Sequence, residues 1–328
     1  MVAIQLDCRD PQRHLVGVTL TVSPQRSPLR LQLPNWTPGS YLIRDYVRHL
    51  EGLEATQAGA HLALRRLTPS CWQLVSDPDA GPVTFTYRVM ATELSVRTCH
   101  MDHQHAFLAL AAVVLEVDGE RWSPHQLELL LPDGWAAFVP LPSHPRGGWI
   151  ANNFDHLVDS PVEAGPHREL SFEVAGVPHR WVTWGACAGG EAWLLERFPS
   201  LLSDVQQVCL RCCQLMGVER PASDAYLFVL HLLDDGYGGL EHDDELDTVA
   251  MSLQAVRGRF SRQQLPSEPE AFDPIAELRA GRKTMPGGAS IVSGIPLSLL
   301  DHETITSLLE PDPFLPSDPS TSTSETRV

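Results

Sequence analysis

The chain of 328 residues carries 41 acidic against 24 basic side chains, a formal charge of −17, which repels phosphate backbones and anionic lipid heads and excludes nucleic acid as a partner. With 43% hydrophobic and 20% charged residues its composition is that of an ordinary globular protein, and no run approaches the ~18–20 apolar residues of a membrane helix. Residues 1–10 lack the basic and apolar stretches of a secretory signal, so a cytoplasmic protein with no membrane partner is expected.

From Val2 to about Trp184 short runs of alternating or β-branched residues are separated by Pro, Gly and Asp clusters. Leu15–Val22 and Val83–Val89 are the clearest, and Ala106–Val117, Leu127–Leu131, Trp149–Leu157 and Glu169–Val174 follow. Pro132-Asp-Gly134 and Arg146-Gly-Gly148 supply turns between them. This spacing predicts an antiparallel β-sandwich over residues 1–183. Between two of its strands lies Leu33-Pro-Asn-Trp-Thr-Pro-Gly-Ser-Tyr-Leu-Ile-Arg-Asp-Tyr46. Pro38-Gly39 there predicts a tight turn and Trp36 a plug for the sandwich end, while Arg44 and Asp45 are available for ion pairing.

Near Ala188-Gly-Gly190 the apolar period becomes helical, with Trp193, Leu194, Phe198, Leu201, Leu202 and Val205 running into a cysteine-bearing segment. A second, α/β unit is expected over 184–258. The seven cysteines are odd in number and scattered, which predicts reduced thiols. Cys209 and Cys212 have C-x-x-C spacing but no second pair, and at helical spacing with Val205, Val208 and Met216 they read as buried core thiols. One apolar strand, Ala225–Leu232, leads into the acidic, glycine-rich loop Asp234–Asp244. Beyond Gly258 the periodicity fades. Pro266–Gly288 reads as polar loop with at best a short helix at Ile275–Ala280, and Pro311–Val328, rich in Ser, Thr and Pro, reads as disordered. The expected fold class is therefore a mainly β N-terminal sandwich, a partial α/β unit, and an irregular to disordered tail over 259–328.

Four strings stand in a telling order: the Trp36-Thr-Pro-Gly-Ser-Tyr41 region, His156-Leu-Val-Asp-Ser-Pro-Val-Glu163, Phe172-Glu-Val-Ala-Gly-Val-Pro-His179, and Gly238-Gly-Leu-Glu-His242. Over about residues 1–250 they resemble the glycyl-aminopeptidase-like zinc metallopeptidases, in which a sandwich precedes a thermolysin-like catalytic domain. The resemblance implies that Glu241 holds the free α-amino group of a peptide. It also implies that Gly238, Gly239, Leu240 and His242 belong to the substrate-binding stretch, the glycines letting the peptide approach the backbone closely. A peptide with a free N-terminus is thus the implied partner. Zinc is implied for the full-length family, held by His-Glu-x-x-His on a helix and a later Glu.

The 328 residues contain no His-Glu-x-x-His, and Met251–Gly288, where the resemblance would place it, has no histidine. His302-Glu-Thr-Ile-Thr306 comes nearest, but Thr306 stands where the second imidazole belongs, and a hydroxyl is a weak zinc ligand. No catalytic residue, metal ligand or cofactor is therefore assigned to this chain. His100, His103 and His105, with Asp102, are read as a partly exposed polar turn in preference to a metal cluster. There is no Gly-x-Ser-x-Gly elbow, dinucleotide fingerprint or phosphate loop. The expectation is a metalloaminopeptidase relative that is truncated or frame-shifted and does not hydrolyse peptides. Its alternative is a non-enzymatic peptide- or protein-binding sandwich. An α/β unit cut short would expose apolar surface, and self-association is expected from it.

Overall fold

The computed structural model describes residues 1–36, 42–185 and 195–233, and the backbone of 237–241 and 246–252. Four sheets are formed among the described residues. In the seven-stranded first sheet Leu15–Val22 and Val83–Met90 pair antiparallel, Val18 opposite Tyr87 and Leu20 opposite Phe85. Their alternation is that of a sheet with one dry face: Val16, Val18, Leu20 and Val22 are buried while the residues between are half-exposed. That face shares one core with Leu29, Leu31, Trp72 and Leu74 of the four-stranded second sheet. The sandwich expected from the alternating strands is present, with one departure. Val2–Asp7 and His125–Leu130 run parallel, which the long chain path between them allows.

Two predicted strands end early for local reasons. Ala106–Val117 is a strand only over Ala106–Leu108, followed by a 3-10 turn at Leu110–Ala112 and a short strand at Glu116–Val117. The backbone in this break bonds to a side chain instead of a ladder: the buried Tyr87 hydroxyl donates to the Val113 carbonyl at 2.9 Å and accepts from the Leu115 N–H at 3.2 Å. In the second case Trp149–Ala151 gives way to a helix at Phe154–Val158. Asn153 caps that helix, its side chain accepting the His156 N–H at 2.8 Å. Just before the strand, Gly148 has φ +73°, and a Cβ there would lie 2.2 Å from the Leu127 carbonyl oxygen, so glycine is required for the close approach.

The third sheet takes Ala136–Phe138, Val162–Gly165, Ala106–Leu108 and Cys99–Met101 in that order, all antiparallel. One of its faces joins the sandwich core through Met101, Ala106, Leu108, Val162 and Ala164. The other meets the fourth sheet, where Phe138 packs with Val182, Leu227 and Val229.

In the fourth sheet Glu169–Val174, Val177–Gly185, Tyr226–Leu233, Leu246–Ser252 and Tyr237–Glu241 lie side by side. The middle three strands are parallel. The sheet begins at Glu169, ahead of the expected boundary at 183, because the Val177–Gly185 backbone bonds to Tyr226–Leu233. A helix at Leu201–Met216 makes the crossover between those two strands, and Leu201, Leu202 and Val205 cover Trp181, Leu230 and Leu232. Of the helix thiols only Cys213 is buried; Cys209 and Cys212 are half-buried, and Met216 is exposed. The predicted pair is thus only partly covered. Burial pushes the Cys8 and Cys99 thiols up to about 12, so both stay protonated.

Trp36 does not plug the sandwich end: it is 47% exposed. The Pro38-Gly39 turn, the Ala188–Gly190 boundary, His242, His302–Thr306, the short helix at Ile275–Ala280 and the tail lie outside the described residues. None of the described helices is long and apolar enough to cross a membrane.

Candidate functional site

Sheet register brings the chemistry together. His100 lies opposite Phe107, Phe107 opposite Glu163, and Glu163 opposite Phe138, so the four form one row across the third sheet. Residues directly opposite share a face, and this face looks toward the fourth sheet. His105, two residues before Phe107, projects to the same side. The facing sheet answers with Trp184 and His231, which are themselves in register.

Glu163 is the centre. Its side chain is wholly buried, and Oε1 accepts from His105 Nδ1 at 2.9 Å and from His167 Nε2 at 2.8 Å, while Oε2 accepts from His231 Nε2 at 2.8 Å. Aromatic surfaces close the cluster. Trp184 stacks on His105 with centroids 3.7 Å apart, Phe138 stacks on His167 at 5.9 Å, and Phe107 meets His231 edge-on at 5.2 Å.

Burial pushes the Glu163 carboxyl up, but the neighbouring His231 and the three imidazole hydrogen bonds outweigh it and hold the group well below the usual carboxylate range. His105 is pushed down by burial, and its bond to Glu163 opposes this only in part. Near neutral pH the cluster thus holds a carboxylate and a neutral His105. The bond to Glu163 assigns the His105 proton to Nδ1, leaving the Nε2 lone pair without a hydrogen-bond partner among the described residues.

In the sequence Glu163 stands only within a family-like string, which gives it no role. A carboxylate inside Val162-Glu-Ala-Gly165, a strand buried at every position, is the local signal, since a charge is tolerated there only with partners. The sequence grouping of His100, His103 and His105 is altered. His103 and Gln104 form the exposed tip of the hairpin, whereas one nitrogen each of His100 and His105 and an oxygen of Asp102 lie within 4.8 Å of one another.

Gly238, Gly239, Leu240 and Glu241, expected in a loop, form an antiparallel strand on Leu246–Ser252, paired with Ala250, Val249, Thr248 and Asp247 in turn. Among the described residues this strand is the outer member of its sheet. Because His231 and Gly238 are both opposite Ala250, their backbones are two strand spacings apart, roughly 10 Å. The helical His-Glu-x-x-His that holds the metal of zinc aminopeptidases does not occur in this sequence. Two imidazoles one helical turn apart are required, and the nearest sequence, His302–Thr306, offers one imidazole and a hydroxyl.

Residues 3–166 match the family described as the peptidase M61 N-terminal domain. Among solved structures, an aminopeptidase N family protein from Idiomarina loihiensis superposes with a TM-score of 0.67 at 30% identity, over 77% of this chain and 42% of its own. An M1 zinc metallopeptidase from Deinococcus radiodurans gives a TM-score of 0.43 at 16% identity over 79% of this chain and 61% of its own. Aminopeptidase A from Legionella pneumophila gives 0.47 at 12% identity over 85% and 32%. The chain thus spans less than half the length of the Idiomarina protein. No curated protein matches it.

Proposed function

Because the chain belongs to the peptidase M61 family through its N-terminal domain, we propose that it provides the sandwich and the amine-anchoring strand of a zinc-aminopeptidase-like cleft, and that these 328 residues alone do not hydrolyse peptides. One observation supports the reading: among the described residues Gly238–Glu241 lies in the outer strand of its sheet. An outer strand can take an extended peptide as its next neighbour through main-chain hydrogen bonds, and glycines allow that approach. At the end of this strand the Glu241 carboxylate would take the α-amino group in a charge-assisted hydrogen bond, which selects chain ends. Bound zinc would polarise the scissile carbonyl and supply hydroxide in such enzymes. No residue assigned in this chain replaces either contribution, so positioning would occur without turnover.

The test is binding of a free-amine glycyl peptide against its N-acetylated form to the full chain. The free amine is expected to bind about 10–100-fold more tightly, the worth of a hydrogen bond to a charged group, and Glu241→Ala is expected to abolish the difference. Equal binding of both peptides would refute amine anchoring and support a plain interaction module.

A further inference from the structure

We propose that His100, Asp102 and His105 form a binding site for a divalent first-row transition cation such as Zn²⁺, with Glu163 orienting His105 from behind.

The site lies in the sandwich hairpin of Cys99–Met101 and Ala106–Leu108, on residues separate from any peptidase motif. Two imidazoles and a carboxylate are a borderline-hard donor set suited to zinc and its neighbours. His100 Nε2 and Asp102 Oδ2 are 3.5 Å apart, close to the edge of a tetrahedron built from bonds of roughly 2 Å. The His100 and His105 ring centroids are 5.1 Å apart, and two imidazoles sharing one tetrahedral zinc also place their centroids roughly 5 Å apart.

The second observation is the set of orphaned nitrogens. His105 is 0% exposed, and its Nε2 finds no hydrogen-bond partner among the described residues; His100 makes no hydrogen bond there either, its Nε2 meeting only Asp102 Oδ2 at ion-pair distance. A buried acceptor left unmatched costs about 1–3 kcal/mol, and a cation would satisfy it.

Around this triad the supporting bonds are those of a metal site. Glu163 accepts the His105 Nδ1 proton at 2.9 Å, the carboxylate–histidine arrangement that fixes the ligating tautomer and raises ligand basicity. Asp102 Oδ1 accepts the backbone N–H groups of Gln104 at 2.8 Å and His105 at 3.2 Å, which holds the turn and leaves Oδ2 toward His100. Three protein ligands leave a fourth position for water.

The full chain, stripped with chelator, is titrated with Zn²⁺ by calorimetry and with Co²⁺ by visible absorption. One equivalent at micromolar affinity or tighter is expected, with a tetrahedral cobalt spectrum free of thiolate charge transfer. His100→Ala removes a side chain with no hydrogen bond among the described residues, and Asp102→Asn preserves shape. Each should weaken binding by more than the roughly 100-fold upper end for loss of an outer-shell partner, whereas His103→Ala should leave it unchanged. Absence of stoichiometric uptake by the native chain, uptake that survives both substitutions, or a thiolate band would overturn the proposal.

Discussion

Replacing Glu163 by alanine is expected to destabilise the chain by about 3–5 kcal/mol, the range for removing one partner from a buried ionic group. The reasoning is local. Three imidazole N–H groups donate to its two oxygens at 2.8–2.9 Å, and without an acceptor each faces a desolvation cost of about 1–3 kcal/mol. Loss of the buried anion's own desolvation cost offsets part of the sum, which is why the total stays in single figures. The bonds also tie the third sheet, which carries Glu163, to His231 of the fourth. A urea midpoint compared with the native chain measures the effect, and a change below about 1 kcal/mol, the worth of a single ordinary hydrogen bond, would show that the carboxylate is not the tie between these sheets.

Phe107→Ala is expected to have a comparable effect, a loss of about 3–5 kcal/mol from removed burial and the cavity left behind. Phe107 is 0% exposed, sits between His100 and Glu163 in the cross-strand row, and meets the His231 ring edge-on at 5.2 Å. Its removal would also admit water beside the buried carboxylate. Phe107→Leu, which keeps most of the volume, should recover more than half of the loss in the same urea measurement; equal effects of the two variants would argue against packing as the cause.

How much of this could be read from the residues follows from burial geometry. Leu15–Val22 and Val83–Met90 were legible because one face of each is dry, which writes alternation into the sequence. Val162–Gly165 is buried on both faces, so it has no alternation and does not read as a strand. It also carries Glu163. The cluster was hidden for a second reason: His105 and His231 lie 58 and 68 residues from Glu163, and only sheet register and the packing of two sheets join them. His100, Asp102 and His105 were visible as a string, but the string could not show that the hairpin turn sends His103 outward and folds Asp102 back. The glycine strand was legible as a motif through family resemblance, whereas its pairing with Leu246–Ser252 was not, since an acidic, glycine-rich stretch has the composition of a loop.

Amine positioning by Glu241 without peptide hydrolysis is the proposal from which the other expectations about function follow. The most direct measurement is turnover of glycyl and alanyl anilides by the purified 328-residue chain supplied with one or more equivalents of Zn²⁺. The expected result is release of anilide at the rate of the buffer control, even if metal is taken up by the sandwich hairpin. Zinc-dependent turnover above that control, abolished by chelator, would contradict it.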